Sequence, residues 1–150
     1  MERVSEIVSI ACQTIYQYFE TESKVFRLQK NLKECRIRRD YDGESLLQLE
    51  LAECYEKLGK DYLSVSIYSD MYNRNKDVAI GQKALDYYIR EGEWFNASNM
   101  SYKIGMQTKS EKHLEEAILW SGHTHWIKDL DVTRIENELK RSEQKEKYVK

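Results

Sequence analysis

Two matching stretches decide the fold of this chain, Leu51-Ala52-x-x-Tyr55-x-x-x-Gly59 and Ala84-Leu85-x-x-Tyr88-x-x-x-Gly92. Their glycines are 33 residues apart, and their tyrosines coincide when the two stretches are aligned. Five residues after each glycine there is a small residue, Ser64 in the first copy and Ala97 in the second. Self-similarity at a fixed period of this length is typical of a repeat architecture.

Each shared position has a structural role. The small residues let two antiparallel helices approach closely, and the tyrosine fills the next layer of side chains. The glycine ends the first helix, because it adopts a left-handed backbone conformation at low cost. One such helix pair cannot bury its apolar faces alone, so stacked neighbours must complete the core. The sequence therefore predicts an all-α chain of stacked antiparallel helical hairpins.

The turn Gly92-Glu-Trp-Phe-Asn-Ala97 resembles the turn between the two helices of a tetratricopeptide repeat (TPR), where glycine, an acidic residue, an aromatic and alanine recur. The turn Gly59-Lys-Asp-Tyr-Leu-Ser64 is a weaker copy. The resemblance is clearest over residues 45–106 and implies a TPR-like α-solenoid. We therefore expect two TPR-like units over this range.

The rest of the chain extends the array on both sides into a single helical-repeat domain over residues 1–150. Residues 1–40 are predicted to form an N-terminal helical hairpin that breaks at Thr21-Glu-Ser23. Residues 110–131 are a degenerate third unit, and residues 132–150 a charged C-terminal helix or tail. We expect about seven to nine helices, seven of them before Gly122. The first hairpin has two apolar stripes: Val4, Ile7, Val8, Ala11, Cys12, Ile15 and Phe19, then Val25, Leu28, Leu32 and Cys35.

Composition excludes several classes of protein. Of the 150 residues, 33% are charged and 41% are hydrophobic, which is typical of a globular chain and not of a disordered one. Proline is absent and only six glycines occur, which argues against a sandwich or barrel of many short strands. No apolar run reaches the roughly 18 residues of a membrane span, and the N-terminus has no secretory pattern. We expect an intracellular, cytoplasmic protein, with the nucleus as an open alternative.

Charge is unevenly distributed along the chain. Residues 24–39 carry seven cations and one acid, a net charge of +6, whereas the whole chain has a net charge of −2. One interpretation is that the acids of the next helix, such as Glu44 and Glu50, pair with these cations or that solvent covers them. The other is a basic surface for an acidic protein or nucleic acid. Aromatic residues for base stacking are nearly absent there, so a nucleic-acid partner is disfavoured.

Motifs of catalysis and metal binding are scarce. No phosphate-binding glycine loop and no nucleophile elbow occurs. The cysteines, Cys12, Cys35 and Cys54, are odd in number and follow apolar periodicity, so buried packing is the better interpretation. His113, His123 and His125 could bind zinc together with Asp129, but polar turn residues near Gly122 are the better interpretation. We predict no enzyme, no metal and no cofactor.

The TPR resemblance implies a protein–protein interaction module whose ligand lies on a concave face made by the first helix of each hairpin. Because this face is acidic, we expect a basic or amphipathic segment of a partner protein. The alternatives are a peptide-sensing regulator and a self-assembling structural subunit, a homo-oligomer. No membrane partner is expected. The predicted binding residues are Leu49, Glu53 and Glu56 in one unit and Gln82, Asp86 and Ile89 in the next.

Overall fold

The computed structural model describes residues 2–122, together with Asn137, Lys140 and Arg141. Over residues 2–122 every regular element is an α-helix, which confirms the all-α class. None of the helices in this described part is both long and apolar enough to span a bilayer. The elements are α1 (Glu2–Arg38), α2 (Tyr41–Lys57), α3 (Asp61–Asn75), α4 (Val78–Arg90), α5 (Trp94–Thr108) and α6 (Glu111–Ser121).

The predicted N-terminal hairpin is wrong, because residues 2–38 form one continuous helix of 37 residues. Neither glycine nor proline occurs before Gly43, and threonine or serine within a helix costs only about 0.5 kcal/mol relative to alanine. The hydroxyl of Thr21 also donates to the carbonyl of Gln17 at 2.8 Å, which satisfies it within the helix. Six helices therefore replace the seven predicted before Gly122, and the remaining predicted helices lie outside the described residues.

The chain divides into two compact units, Met1–Met71 and Tyr72–Lys150. In the first unit, α2 is antiparallel to the second half of α1. The side chain of Arg36 donates to Glu44 at one end of the pair, and that of Lys60 donates to Glu22 at the other. The buried core between them consists of Leu28, Leu32, Leu51, Cys54 and Tyr55, with Val25, Leu47, Leu63 and Ile67 packed against it.

The second unit is built on close helix–helix approach. The buried hydroxyl of Ser98 donates to the carbonyl of Ala117, and that of Ser101 donates to the carbonyl of His113, so α5 and α6 are antiparallel. A methyl group on Gly105 would come within 3.1 Å of the Leu114 backbone nitrogen, which explains why glycine is needed there. The core of this unit includes Ala84, Leu85, Ala97, Met100 and Ile104.

The two glycines of the repeat end their helices in the same way. Gly59 and Gly92 have φ values of +67° and +69°. The next residue in each copy, Lys60 or Glu93, donates its N–H to the carbonyl of Tyr55 or Tyr88 at 2.8 Å. This is the Schellman arrangement, in which a left-handed residue closes the last turn. The predicted helix ends at both glycines are therefore confirmed.

Helix boundaries repeat with the period seen in the sequence. The starts of α3 and α5, at Asp61 and Trp94, are 33 residues apart, and so are the starts of α4 and α6. Each unit contains antiparallel neighbours joined by connections of two or three residues. α2 begins at Tyr41 rather than near residue 45, because the side chain of Asp40 caps it by accepting from the N–H of Gly43.

Candidate functional site

The first half of α1 has no helix packed along it in the described part of the chain. Each residue from Glu6 to Glu20 is exposed. At 1.5 Å per residue, α1 is about 55 Å long and α2 about 25 Å. Lys60, three residues after the end of α2, pairs with Glu22 of α1 at 3.0 Å. The N-terminal end of α1 therefore extends beyond its neighbour.

The first apolar stripe has the spacing of a buried helix face, but its side chains are exposed. Ile7, Val8, Ile15 and Phe19 are 65, 55, 56 and 62% exposed. Cys12 is also exposed, whereas Cys35 is half-buried and Cys54 is buried, so buried packing holds fully only for Cys54. Burial raises the pKa of the Cys54 thiol, as expected for a packed cysteine. We call the described members of this stripe, namely Ile7, Val8, Ala11, Cys12, Ile15 and Phe19, the apolar stripe.

Charge is absent from the segment that carries the apolar stripe. Residues 7–19 contain no Asp, Glu, Lys or Arg, in a chain of which 33% is charged. Their polar members are hydroxyl and amide side chains, such as Ser9, Gln13 and Gln17. Single apolar residues are normal on a protein surface, whereas a contiguous exposed apolar patch is unusual. Such a patch typically marks an interaction site.

The cations in the second half of α1 are partly paired with acids of α2, as the first interpretation expects, and partly exposed. Lys24 pairs with Glu50 at 2.6 Å and Arg36 with Glu44 at 3.0 Å, so the acids of α2 do neutralise some cations. Other cations line an open groove of about 550 Å³ together with Phe26, which is 72% exposed. This groove is lined by Phe26, Gln29, Lys30, Leu32, Lys33, Arg36 and Leu51.

The predicted binding residues of the first unit lie on the side of α2 that faces away from its core. Glu53 and Glu56 are exposed, and Leu49 is half-buried. Burial raises the pKa of Tyr68 on α3, and the carboxylate of Glu56 raises it further. The carboxylate of Glu56 therefore lies close to the hydroxyl of Tyr68 on α3.

The predicted residues of the second unit are joined by hydrogen bonds. The amide nitrogen of Gln82 donates to Asp86 at 2.7 Å, and its oxygen lies 3.1 Å from Nε2 of His113. Asp86 is exposed and Ile89 is half-buried. The same register in α6 contains Glu115 and Leu119, both exposed, which we did not predict. Adding 33 to Gln82 and Asp86 gives these two positions, so the repeat spacing alone could have found them.

His113 is held by side chains rather than by a metal-ligand set. Its Nδ1 lies 2.8 Å from the hydroxyl of Ser110, which caps α6, and Gln82 occupies its Nε2. Because the nitrogen of Gln82 donates to Asp86, its oxygen must accept, so Nε2 of His113 carries a proton. Among the described residues no three His, Cys, Asp or Glu side chains could hold a metal ion together. His123, His125 and Asp129 lie outside the described residues.

Comparison of the chain with protein-family models, with curated proteins and with solved structures gave no match.

Proposed function

We propose that this chain is a non-catalytic protein-interaction module of TPR-like stacked hairpins, which binds a basic or amphipathic segment of a partner protein through exposed carboxylates. The observation that carries the proposal is the repeated register of these acids. Glu53 in α2 and Asp86 in α4 are 33 residues apart and both are exposed. They occupy the same position relative to the glycine that ends each helix.

The repeat geometry supports the TPR-like architecture. The two glycine turns share one hydrogen-bonding pattern, and the starts of α3 and α5, like those of α4 and α6, are 33 residues apart. The small residues of the motif, Ala52, Ala84 and Ala97, are fully buried, so they are used for close packing. The glycine turns and the buried alanines recur at matching positions of the sequence. This recurrence favours duplicated hairpins over an irregular bundle.

Charge and apolar contact have separate roles in the proposed binding. The carboxylates of Glu53, Glu56 and Asp86 attract a cationic segment and raise its association rate. Beside them, Leu49 and Ile89 are half-buried and present some apolar surface. Within each unit, an amphipathic ligand would place lysine or arginine against the acids and an apolar side chain against Leu49 or Ile89.

The test reverses the charge of the repeated acids. We expect the Glu53→Lys, Asp86→Lys double variant to lose binding of a fluorescent lysine–leucine amphipathic peptide, and of any partner captured by the wild-type chain. The matched control is Glu20→Lys with Asp70→Lys, which makes the same change in net charge at exposed sites away from these faces. Circular dichroism and urea midpoints verify that both variants fold. Unchanged affinity in the first double variant contradicts the proposal.

A further inference from the structure

We propose that the first half of α1 is a self-association surface, on which the same segment of a second copy packs antiparallel. This inference uses residues separate from the carboxylates of the proposed function and stands independently of them. It starts from the apolar stripe, whose residues are exposed although they follow the periodicity of a buried helix face.

The size of the apolar stripe suits a specific dimer. If each large side chain is counted at about 200 Å², the area of an aromatic side chain, the exposed fractions of the stripe amount to at most roughly 500 Å² per chain. Two copies would then bury at most about 1,000 Å², which is the lower limit for specific protein interfaces. We therefore expect a dimer of moderate affinity rather than an obligate one.

The absence of charge favours a second copy over a different partner. A heterologous helix normally selects its site through complementary charges, and residues 7–19 offer none. A segment without charge can face itself without like-charge repulsion. Orientation follows from the flanking region, because residues 24–39 carry a net charge of +6. A parallel pair would bring these two basic segments together, whereas an antiparallel pair keeps them at opposite ends.

The spacing of residues in the stripe also suits antiparallel packing against a second copy. When the helix is laid antiparallel about the midpoint of Ala11 and Cys12, these two small residues face each other and Val8 faces Ile15. Small residues at the centre allow the helices to approach closely, and the larger side chains close the interface on both sides. Val8, Ala11, Cys12 and Ile15 therefore each meet a member of the stripe on the other copy.

The first test is the oligomeric state of the full chain. Sedimentation velocity of the wild type across the micromolar range should show a monomer–dimer equilibrium. Ile15→Glu, and independently Val8→Glu, should leave only monomer over the same range, because a carboxylate would be buried in an apolar interface. The matched control is Gln13→Glu, which introduces the same charge on an exposed residue of the same helical turn, away from the stripe. It should dimerise as the wild type does.

The second test determines the orientation. In a Cys12→Ser background, Val8→Cys and Ile15→Cys chains are mixed and mildly oxidised. An antiparallel dimer gives mostly the disulfide between the two different chains. Predominant disulfides between identical chains indicate a parallel dimer and overturn the proposed arrangement.

Other occupants of the stripe give distinct results. A wild-type chain that stays monomeric at high concentration overturns the proposal. If that monomer also cosediments with vesicles of phosphatidylcholine and phosphatidylserine, the stripe binds a lipid surface instead. Dimerisation that survives both Ile15→Glu and Val8→Glu places the interface elsewhere and equally overturns it.

Discussion

The two halves of α1 have the same kind of apolar periodicity and different surroundings. In the second half, Leu28 and Leu32 are buried in the core that α1 forms with α2. In the first half, Ile7 and Ile15 follow the same steps of three and four residues and remain exposed. The difference arises because α2 ends at Lys57 and can cover only part of a helix about twice its length.

This comparison shows what an amphipathic pattern does and does not establish. A stripe of apolar residues indicates a helix and the face on which it seeks contact. It does not indicate that the contact lies within the same chain. The exposed stripe is therefore a candidate contact surface, and the second half of α1 provides the reference for the energy of a covered face.

The largest expected effect comes from truncating one buried leucine in the second half of α1, compared with one exposed isoleucine in the first half. Leu28→Ala should lower the free energy of unfolding by about 2–5 kcal/mol, because it leaves a cavity in the core. Ile15→Ala should change it by less than about 0.5 kcal/mol in the monomer, since Ile15 is already 56% exposed. Urea denaturation at submicromolar protein concentration measures both. Equal losses would mean that the first half is covered within the monomer.

Proline substitutions test whether the backbone of each half of α1 contributes to stability. Asn31→Pro interrupts the packed half of α1 and should cost about 3 kcal/mol or more. Thr14→Pro interrupts the exposed half, so helical ellipticity should fall while the urea midpoint of the rest stays unchanged. Both residues are exposed, which excludes a packing effect of the side chain itself. A large loss of stability in Thr14→Pro would contradict the independence of the first half.

The end of α2, which limits how much of α1 is covered, depends on the left-handed backbone of Gly59. Gly59→Ala should cost about 1 kcal/mol, because alanine adopts this conformation poorly. Nothing lies within 4 Å of the added methyl group, so the cost is conformational. Gly92→Ala should cost a similar amount, and Gly59→Asn less than either. Clearly unequal losses in the two alanine variants would show that the two turns are not equivalent copies.

The smallest effect concerns the ion pair that marks the boundary between the two halves. The hydrogen bond from Lys60, followed by that from Tyr18, lowers the pKa of Glu22 below its ordinary value of 4.5. A lowered carboxyl pKa stabilises the fold above the unfolded-state pKa, and this stabilisation is lost as pH falls through the folded-state pKa. The wild type should therefore lose more stability between neutral pH and pH ~3 than Lys60→Met does. Urea midpoints measure this, with Lys33→Met as the control, and identical losses would contradict the role of the pair.

Particular residues show how far sequence reasoning reached. Gly59 and Gly92 were predicted as helix ends because their physical requirement, a left-handed backbone, is local. The buried alanines of the repeat were found for a related reason, since close packing at a repeated register demands small residues. The supposed break at Thr21-Glu-Ser23 failed, because polar residues of moderate helix propensity do not end a helix without glycine, proline or a cap. Glu115 and Leu119 were missed although the 33-residue period leads to them.

By itself, the sequence determined that this protein is helical, where its glycine-terminated helices end and the period with which they recur, since each follows from backbone conformation and spacing along the chain. Only the tertiary structure decided which apolar stripe became core and which stayed exposed. That outcome depends on the relative lengths of α1 and α2 and on the point where Gly59 ends α2. Whether an apolar stripe is buried depends on the helix that packs against it, and the residues of α1 do not indicate how long α2 is.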